Sequence, residues 1–590
     1  MREKLAWVGC GVLLLSALSA GVARADDPPI VMRNVIERHL ADEGALERFY
    51  DVPDSEARFT HVRQFQQQEL EKLGKIPFDR LDQDGKVDYL LLKYKLNFDL
   101  QELDHEQKQV QEIGKMVPFE GTIAALEESR QAMQPINPEE AAKTLSNLLT
   151  QIKDAQKQQK SAAGSKAGNI KVLARRAATL TDRLRFVLKR WYSFYDDFNP
   201  EFTWWAREPY PKVDAALSDY AKYLRNELEG AKSGEDEPLV GDPIGREALL
   251  DALKAEMIPY TPEELIDIAN REFAWCEVEM KRAARDMGCG DDWHKALEKV
   301  DAMHVQPGQQ PQLIKQLAEE AIKFVEDRDL VTIPPLCKDT WRMEMMPVES
   351  QKVTPYFTGG EEVRVSFPTD TMSTADKLMS MRGNNIPFCR ATVLHELIPG
   401  HHLQIFMAQR YKPYRRTFRT PFLVEGWALY WETRFWDLNF PRTPEERVGM
   451  LFWRAHRCAR IIFSLKFHLG QMTPDEAVQM LVDRVGHERR NATAEVRRSI
   501  AGDYGPLYQA AYMLGALQLR ALREEVVKTG KMTDRQFNDA VLRENAIPVA
   551  MIRASLTHEQ LTPDYTPNWR FYDELTGAPT TQPDKAKEQQ

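Results

Sequence analysis

The chain has 590 residues, of which 43% are hydrophobic and 28% are charged, and its formal net charge is −10. This composition is typical of a soluble globular protein, and the length is sufficient for more than one hydrophobic core. The acidic balance and the lack of a concentrated basic face argue against a nucleic-acid partner, because phosphate contacts require clustered Lys and Arg.

The first 25 residues have the pattern of a secretory signal. Arg2 and Lys4 precede an apolar stretch at 5–22, and small residues follow at Ala23 and Ala25. A basic region, an apolar segment and an A-x-A end predict a cleaved signal peptide, so we expect an exported protein, periplasmic or extracellular. The alternative is an uncleaved N-terminal anchor. No later stretch approaches the roughly 18 consecutive apolar residues of a membrane span, and we expect none in the mature chain.

Helical patterns dominate the mature chain. Stretches such as 138–159 combine capping residues with apolar positions three and four apart. A stretch rich in Gly, Pro and acidic residues, 229–245, is the best candidate boundary. We predict an N-terminal helical region at 26–235, a helical catalytic region at 236–576, and a disordered tail at 577–590.

One segment, EEVRVSFPTD at 361–370, has the pattern of a strand instead. Val363, Val365 and Phe367 alternate with polar residues, as they do in a half-buried strand. We expect a small β element here, at the edge of an active-site cleft. The predicted fold class is therefore mainly α with a small β element.

The segment HELIPGHH, which runs from His395 to His402, departs from the zinc motif that it resembles. That motif has two histidines four positions apart on a helix, with a Glu beside the first. Here the later histidines follow at i+6 and i+7, where an uninterrupted helix faces away or lies roughly 10 Å further along its axis. Pro399 and Gly400 are expected to break or bulge the helix, and a bulge that absorbs two residues moves His401 into the second ligand position. His402 is the second choice as a ligand.

A third ligand is expected in VEGWALYWE, residues 424–432. Catalytic zinc is commonly held by two His and one Glu, with one position left for water. Glu425 is the first candidate. Glu432, two turns later, is its competitor or an acceptor that orients a ligand histidine. The alternative for the whole cluster is a set of packed or exposed histidines without a metal. The density of titratable groups between apolar stretches favours the metal site, since such groups need partners when they are buried.

Together, HELIPGHHLQ and EGWALY resemble the bacterial domain-of-unknown-function family 885, whose members look like gluzincin-type metallopeptidases. Further similar segments cover nearly the whole mature chain, near Gly245, at 506–515 and at 537–552. The resemblance implies a large helical metallopeptidase-like fold. It places one Zn²⁺ ion on His395, His401 and Glu425, with Glu396 beside them.

Two further residues could complete a site. Tyr512 matches a tyrosine of that family, and a phenol can donate to a developing oxyanion. The alternative is an aromatic residue packed in the core at helical spacing. Arg498, in EVRRS, could bind a substrate carboxylate through two parallel hydrogen bonds. The alternative is an exposed arginine on a charged helix.

We therefore expect a secreted zinc-dependent hydrolase, a metallopeptidase acting on peptide or small amide substrates, with Glu396 as general base and Tyr512 as oxyanion donor. Three alternatives stay open: a zinc hydrolase of non-peptide amides or esters, a catalytically inactive exported binding protein of the same fold, and a structural zinc protein. The ligand types favour zinc, although cobalt or manganese would fit. Substrate preference, endo or exo cleavage and oligomeric state are not determined by the sequence.

Overall fold

The computed structural model describes residues 31–162, 169–231, 239–353, 356–500 and 504–576. The predicted signal peptide, 1–25, and the predicted tail, 577–590, lie outside these ranges. So do residues 232–238, the centre of the predicted boundary segment.

Within the described ranges the chain forms 25 α-helices and two short strands, which confirms a mainly α fold with a small β element. The helices are α1 Met32–Phe49, α2 Glu56–Gly74, α3 Gln83–Ile113, α4 Glu120–Gln131, α5 Pro138–Ala162, α6 Ile170–Tyr195, α7 Pro200–Ala206, α8 Pro209–Tyr223, α9 Gly245–Ala255, α10 Pro262–Asp286, α11 Trp293–Asp301, α12 Gln310–Asp327, α13 Pro335–Thr340, α14 Val348–Val353, α15 Thr374–Gly383, α16 Ile386–Glu396, α17 His401–Ala408, α18 Pro421–Asp437, α19 Pro444–His468, α20 Pro474–Met480, α21 Arg489–Ile500, α22 Tyr508–Arg523, α23 Asp534–Arg543, α24 Val549–Thr557 and α25 Phe571–Thr576. The strands are β1 Arg342–Met345 and β2 Glu362–Val365. Short 3₁₀ segments at Phe78–Arg80 and Pro413–Phe418 and π-helical segments at Leu224–Glu229, Leu481–Val485 and Glu524–Lys528 complete the described elements.

Local sequence signals explain where several of these helices begin. At α10, the hydroxyl of Thr261 accepts a hydrogen bond from the backbone N–H of Glu264, and the Glu264 carboxylate accepts one from the Thr261 N–H. This reciprocal pair satisfies two backbone donors that the first turn leaves free. Thr420 caps α18 and Thr443 caps α19, and each is followed by a proline, which suits the first helical position.

The strand predicted at 361–370 is present as β2, which pairs in parallel with β1. Val363 and Val365 are fully buried and belong to a small core that also contains Val393 and Leu397. The strand pair therefore packs beside α16, the helix that carries the first histidine of the motif. The backbone of Thr358 pairs with that of Arg364 in an isolated antiparallel bridge. The next residue, Gly359, lies against Glu396 of α16.

Two larger cores lie at opposite ends of the long helix α3. The principal core draws on residues 32–96 and 249–572, and a second core draws on Val52 and residues 113–224. With 31 residues, α3 is about 46 Å long and contributes to both cores. The division of the chain predicted at residue 235 stays a prediction. The described N-terminal helices themselves divide between the two cores.

The helices α18 and α22 cross in backbone contact in the centre of the principal core. A Cβ atom at Gly515 would lie 1.9 Å from the carbonyl oxygen of Phe422, and one at Gly426 would lie 2.7 Å from the Gly515 backbone. Only glycine permits this approach at either position. The crossing brings the acidic side chains of α18 against the tyrosines of α22. None of the described helices combines the length and apolar character that a membrane span requires.

Candidate metal centre and active site

The predicted interruption of the histidine-rich helix is present. Helix α16 ends at Glu396 and α17 begins at His401, so Leu397–Gly400 form a non-helical connection, in which the Ile398–Pro399 peptide bond is cis. A Cβ atom at Gly400 would lie 1.9 Å from the His395 carbonyl oxygen, so this position needs glycine. The indole N–H of Trp427 donates to the Pro399 carbonyl at 2.9 Å and fixes the connection against α18.

Because of this connection, the imidazole rings of His395 and His401 both lie close to one carboxylate oxygen of Glu425. The ring centroids of His395 and His401 are 4.8 Å apart with planes at 85°. Oε2 of Glu425 lies 3.6 Å from Nε2 of His395 and 3.2 Å from Nε2 of His401. Glu396 is also close, since its carboxylate and the two imidazoles present ligand atoms within 4.8 Å of one another.

The second polar atom of His395 and that of Glu425 each have a hydrogen-bond partner outside the cluster. Nδ1 of His395 is 2.6 Å from Oε1 of Glu432, which fixes the ring and leaves Nε2 facing the cluster. The Tyr508 hydroxyl donates to Oε1 of Glu425 at 2.5 Å and leaves Oε2 facing the cluster. Glu425 thus lies between the two imidazoles and Glu432 lies behind His395, the arrangement expected if Glu425 is the ligand and Glu432 the orienting acceptor.

The charges around the histidines favour a cation at this point. Burial acts to lower the pKa of His395, but hydrogen bonds to Glu425 and Glu432 and the charge of Glu396 raise it to about 9. Burial acts to raise the pKa of Glu425, but His401 and His395 hold it well below its ordinary value. Burial raises the pKa of Glu396. Three carboxylates thus converge on two imidazoles, and positive charge is stabilised among them.

The donor set fits a zinc ion. Two imidazole nitrogens and one carboxylate oxygen are the ligands that catalytic zinc takes most readily, and here they come from His395, His401 and Glu425. All three residues are buried. The second polar atom of His395 is held by Glu432, and that of Glu425 is held by Tyr508. Glu396 faces the same place, and no residue in the described ranges forms a hydrogen bond with its carboxylate.

A cavity of about 260 Å³ opens beside the cluster. Six of the eight predicted site residues line it, namely His395, Glu396, His401, Glu425, Arg498 and Tyr512. Gly359, from the connection beside β2, also lines the cavity, and a Cβ atom there would lie 2.2 Å from Glu396 Oε2. The segment 356–359, which precedes β2, thus lines the cavity, whereas the residues of β1 and β2 themselves do not.

His402 lies outside this arrangement. Its Nε2 is 3.1 Å from the Cys337 carbonyl oxygen, and its side chain does not line the cavity. The adjacent histidines therefore face in different directions, because successive positions on α17 are rotated by about 100°. His402 is therefore a buried packing residue of α17, away from His395, His401 and Glu425.

Tyr512 lies over the first histidine. Its ring is nearly parallel to that of His395, with centroids 6.2 Å apart and planes at 15°. Burial and the Glu425 carboxylate raise the pKa of Tyr512 to about 12, so the phenol keeps its proton at neutral pH. A protonated phenol at the cavity wall can donate a hydrogen bond to an oxyanion.

The sequence analysis missed two arginines beside Tyr512. Arg457 and Arg460 of α19 place their guanidinium carbons 4.8 and 4.6 Å from the Tyr512 ring centroid, and both line the cavity with Arg498. Their spacing of three residues puts them on one face of a helix that is mostly buried and rich in apolar residues. That combination of charge and apolar surroundings was the available signal. Tyr508, also missed, had no comparable signal.

The fold and the site together define a class: an α-helical protein with a buried site of two histidines and several carboxylates at a helix interruption. The family model described as "Bacterial protein of unknown function (DUF885)" matches residues 47–556, and the chain belongs to this family. No curated protein matches the chain.

Two solved structures share the fold. A candidate lipoprotein of unknown function from Shewanella oneidensis is 16% identical, with a TM-score of 0.62 over 90% of this chain and 100% of that one. A candidate lipoprotein from Colwellia psychrerythraea is 17% identical, with a TM-score of 0.54 over 89% of this chain and 98% of that one. At these identities the likeness concerns the fold alone.

Proposed function

We propose that this protein is a zinc-dependent hydrolase, a metallopeptidase that cleaves peptide or related amide bonds. One observation carries the proposal. His395 and His401 direct their Nε2 atoms to the same oxygen of Glu425, and Glu396 adjoins them at the wall of a cavity. Two histidines, a carboxylate ligand and a neighbouring free carboxylate are the groups that metal-assisted amide hydrolysis requires.

His395, His401 and Glu425 would hold one Zn²⁺ ion per chain. When bound, the ion supplies Lewis-acid polarisation of the substrate carbonyl and of water. Glu396 accepts a proton from the water that attacks the carbonyl carbon, and later delivers it to the amine nitrogen as the C–N bond breaks. Tyr512 donates a hydrogen bond to the oxygen on which negative charge develops.

We also propose that the protein is exported to the periplasm or the extracellular space. The basic, apolar and small-residue pattern of residues 1–25 supports this proposal. The two structures with the same fold come from proteins described as lipoproteins, which agrees with an exported protein.

The first test is the metal content of the purified mature protein and of a matched pair of variants. We expect about one zinc per chain in the wild type. His401→Ala should lose the zinc, because it removes a ligand nitrogen, whereas His402→Ala should keep it, because that ring contacts the Cys337 carbonyl. A wild type that binds no metal after reconstitution with zinc would overturn the proposal.

The second test separates a hydrolase from an inactive binding protein. Glu396→Gln keeps the shape of the side chain but cannot accept the proton, so we expect turnover of a peptide library to fall by roughly 10²- to 10⁴-fold. The zinc content of this variant should match that of the wild type. A Glu396→Gln protein that still hydrolyses peptides at the wild-type rate would refute the assignment of Glu396.

A further inference from the structure

The cavity wall contains a buried positive charge without a partner. Arg457 is only 6% exposed and lines the cavity, yet among the described residues it forms no hydrogen bond or ion pair. Its Nε atom is fully buried. Burial and the neighbouring Arg460 lower the pKa of Arg457 below its ordinary value. Its aromatic neighbours, Trp453 and Tyr512, contact the guanidinium group but carry no negative charge.

The two neighbouring arginines share a single carboxylate. Nε of Arg460 donates to Oε1 of Glu495 at 2.6 Å, and Nη2 of Arg498 donates to its Oε2 at 2.7 Å. Nη1 of Arg460 and Nε of Arg498 are buried without a partner in the described part of the chain. Among the described residues, the three guanidinium groups thus have hydrogen bonds to one carboxylate only, and each keeps unused donors. Glu425 and Glu432 act on Arg457 through their charge, without a hydrogen bond to it.

Such an arrangement is unfavourable by itself. A buried charge that lacks a partner destabilises the fold, because it loses its hydration without compensation. An anion in the cavity would remove that cost. A carboxylate suits the three residues best, since a guanidinium group matches its two oxygens with two parallel hydrogen bonds.

The position of the arginines relative to the histidines indicates which carboxylate. Both groups line the same cavity, and Tyr512 lies near each of them. Its ring centroid is 6.2 Å from that of His395 and 4.8 and 4.6 Å from the guanidinium carbons of Arg457 and Arg460. A peptide whose carbonyl lies at the histidines would therefore direct the carboxylate of its next residue towards the arginines.

We propose that Arg457, Arg460 and Arg498 form a subsite, the arginine subsite, for the C-terminal carboxylate of a peptide substrate, and that the protein is a carboxypeptidase. This rests on the proposed function. The last peptide bond lies at the metal centre, water adds to its carbonyl carbon, and the C–N bond breaks. The products are a peptide shortened by one residue, with a new carboxylate, and a free amino acid whose amine takes the proton from Glu396.

The test measures binding first, so that turnover does not interfere. Zinc-loaded Glu396→Gln protein is titrated by calorimetry with an N-acetylated dipeptide that has a free C-terminal carboxylate and with the same dipeptide as its C-terminal amide. We expect the free acid to bind roughly 10- to 100-fold more tightly, the range for a hydrogen bond to a charged group. Adding Arg457→Met should remove most of that preference. Equal affinities for acid and amide would overturn the arginine subsite.

A third peptide in the same titration distinguishes a C-terminal carboxylate from a side-chain carboxylate. An N-acetylated, C-terminally amidated peptide with an internal Asp or Glu carries its carboxylate on a side chain only. We expect it to bind as weakly as the neutral amide. If it binds as tightly as the free acid, the subsite recognises acidic side chains and the carboxypeptidase assignment is wrong.

A matched variant on the same helix controls for folding. Arg454 is also a buried arginine of α19, but it pairs with Glu272 at 2.9 Å and does not line the cavity. Arg457→Met should unfold at the wild-type temperature or above it, because it removes an uncompensated charge. Arg454→Met should unfold at a lower temperature, because it leaves Glu272 without its partner, and it should keep the preference for the free acid. A drop in unfolding temperature for Arg457→Met as large as for Arg454→Met would show a structural role instead.

Hydrolysis assays with the wild type then separate the two proposals. Cleavage of acid and amide peptides at equal rates would leave a hydrolase without the arginine subsite. Tight binding of the free acid with no cleavage of any peptide would leave the subsite and remove the hydrolase.

Discussion

Glu432 determines which nitrogen of His395 faces the Glu425 carboxylate. Its own carboxylate lies 2.6 Å from Nδ1, so Nε2 is the atom that would coordinate the proposed zinc ion. We predict that Glu432→Ala lowers zinc affinity by roughly 10- to 100-fold, because the ring loses its orientation and its basicity. Competition with a chromogenic chelator measures this affinity.

The matched control for this prediction is Glu432→Gln. The amide oxygen can still accept a hydrogen bond from Nδ1 but brings no charge, so its zinc affinity should lie between those of the wild type and Glu432→Ala. Unchanged affinity in the alanine variant would show that the ring is held by packing alone.

The residues of the site differ in how far the sequence reveals them. His395, Glu396 and His401 lie within seven positions, so local spacing was enough to predict them as one group. Arg457 and Arg460 come close to Tyr512 only through the packing of α19 against α22, which no local pattern encodes. The separation of Glu425 from Glu432 also needed the structure, because both lie on the same face of α18 two turns apart.

At the scale of helices, the crossing of α18 and α22 determines how Glu425 of α18 is positioned relative to Tyr508 and Tyr512 of α22. A Cβ atom at Gly515 would overlap the Phe422 carbonyl oxygen. We predict that Gly515→Ala lowers the free energy of unfolding by about 1–3 kcal/mol, the usual cost of an overpacked core. Because Tyr508 and Tyr512 would move away with α22, turnover should fall more than zinc content does. Urea unfolding and metal analysis of the same preparation check both expectations.

Gly121 provides the comparison. It lies in α4, where an added Cβ atom would have no neighbour within 4 Å. Gly121→Ala should therefore be neutral or slightly stabilising, since alanine favours helices over glycine. A Gly515→Ala protein as stable as Gly121→Ala would mean that the two helices can separate without loss.

We predict that the start of α18 is sensitive to pH. Thr420 caps the helix and its hydroxyl also donates to Glu256. Burial raises the pKa of Glu256 to about 7 from 4.5 in spite of this hydrogen bond. The folded chain therefore takes up a proton that the unfolded chain has lost over this interval, and the free energy of unfolding decreases as the pH rises from about 4.5 to about 7, by at most about 3 kcal/mol.

Glu256→Gln removes this titration. We expect its free energy of unfolding to exceed that of the wild type at pH 8 and to approach it at pH 4.5, as measured by urea unfolding across the range. Parallel pH profiles for the two proteins would contradict the prediction.

The helices and the strand β2 were predictable because their signals are local, whereas β1 was not predicted. Thr261 and Glu264 mark the start of α10, and the alternation around Val363 marks β2. The order in which the helices pack was not predictable, because apolar stripes on many helices are interchangeable partners. The break at Gly400 was predictable, although the path of the chain through it was not.

At the scale of the whole molecule, the principal core requires the N-terminal helices. Leu90 and Leu96 of α3 are fully buried in it, together with Met32 and Ile36 of α1. We predict that residues 236–576 produced alone do not fold cooperatively, because these apolar contacts are missing and their partners are exposed to water. Thermal unfolding followed by near-ultraviolet circular dichroism tests this, with residues 26–576 as the control. A sharp transition in the shorter chain would support a domain boundary at residue 235.

The second core is connected to the cavity through the segment that follows it. Arg176 of α6 pairs with Asp242 at 2.7 Å, and the Asp242 backbone N–H donates to the carbonyl of Ile500. Ile500 ends α21, the helix that carries Glu495 and Arg498. Since Ala492 and Val496 of α21 pack in the principal core, the helix that forms one wall of the cavity is anchored from both cores.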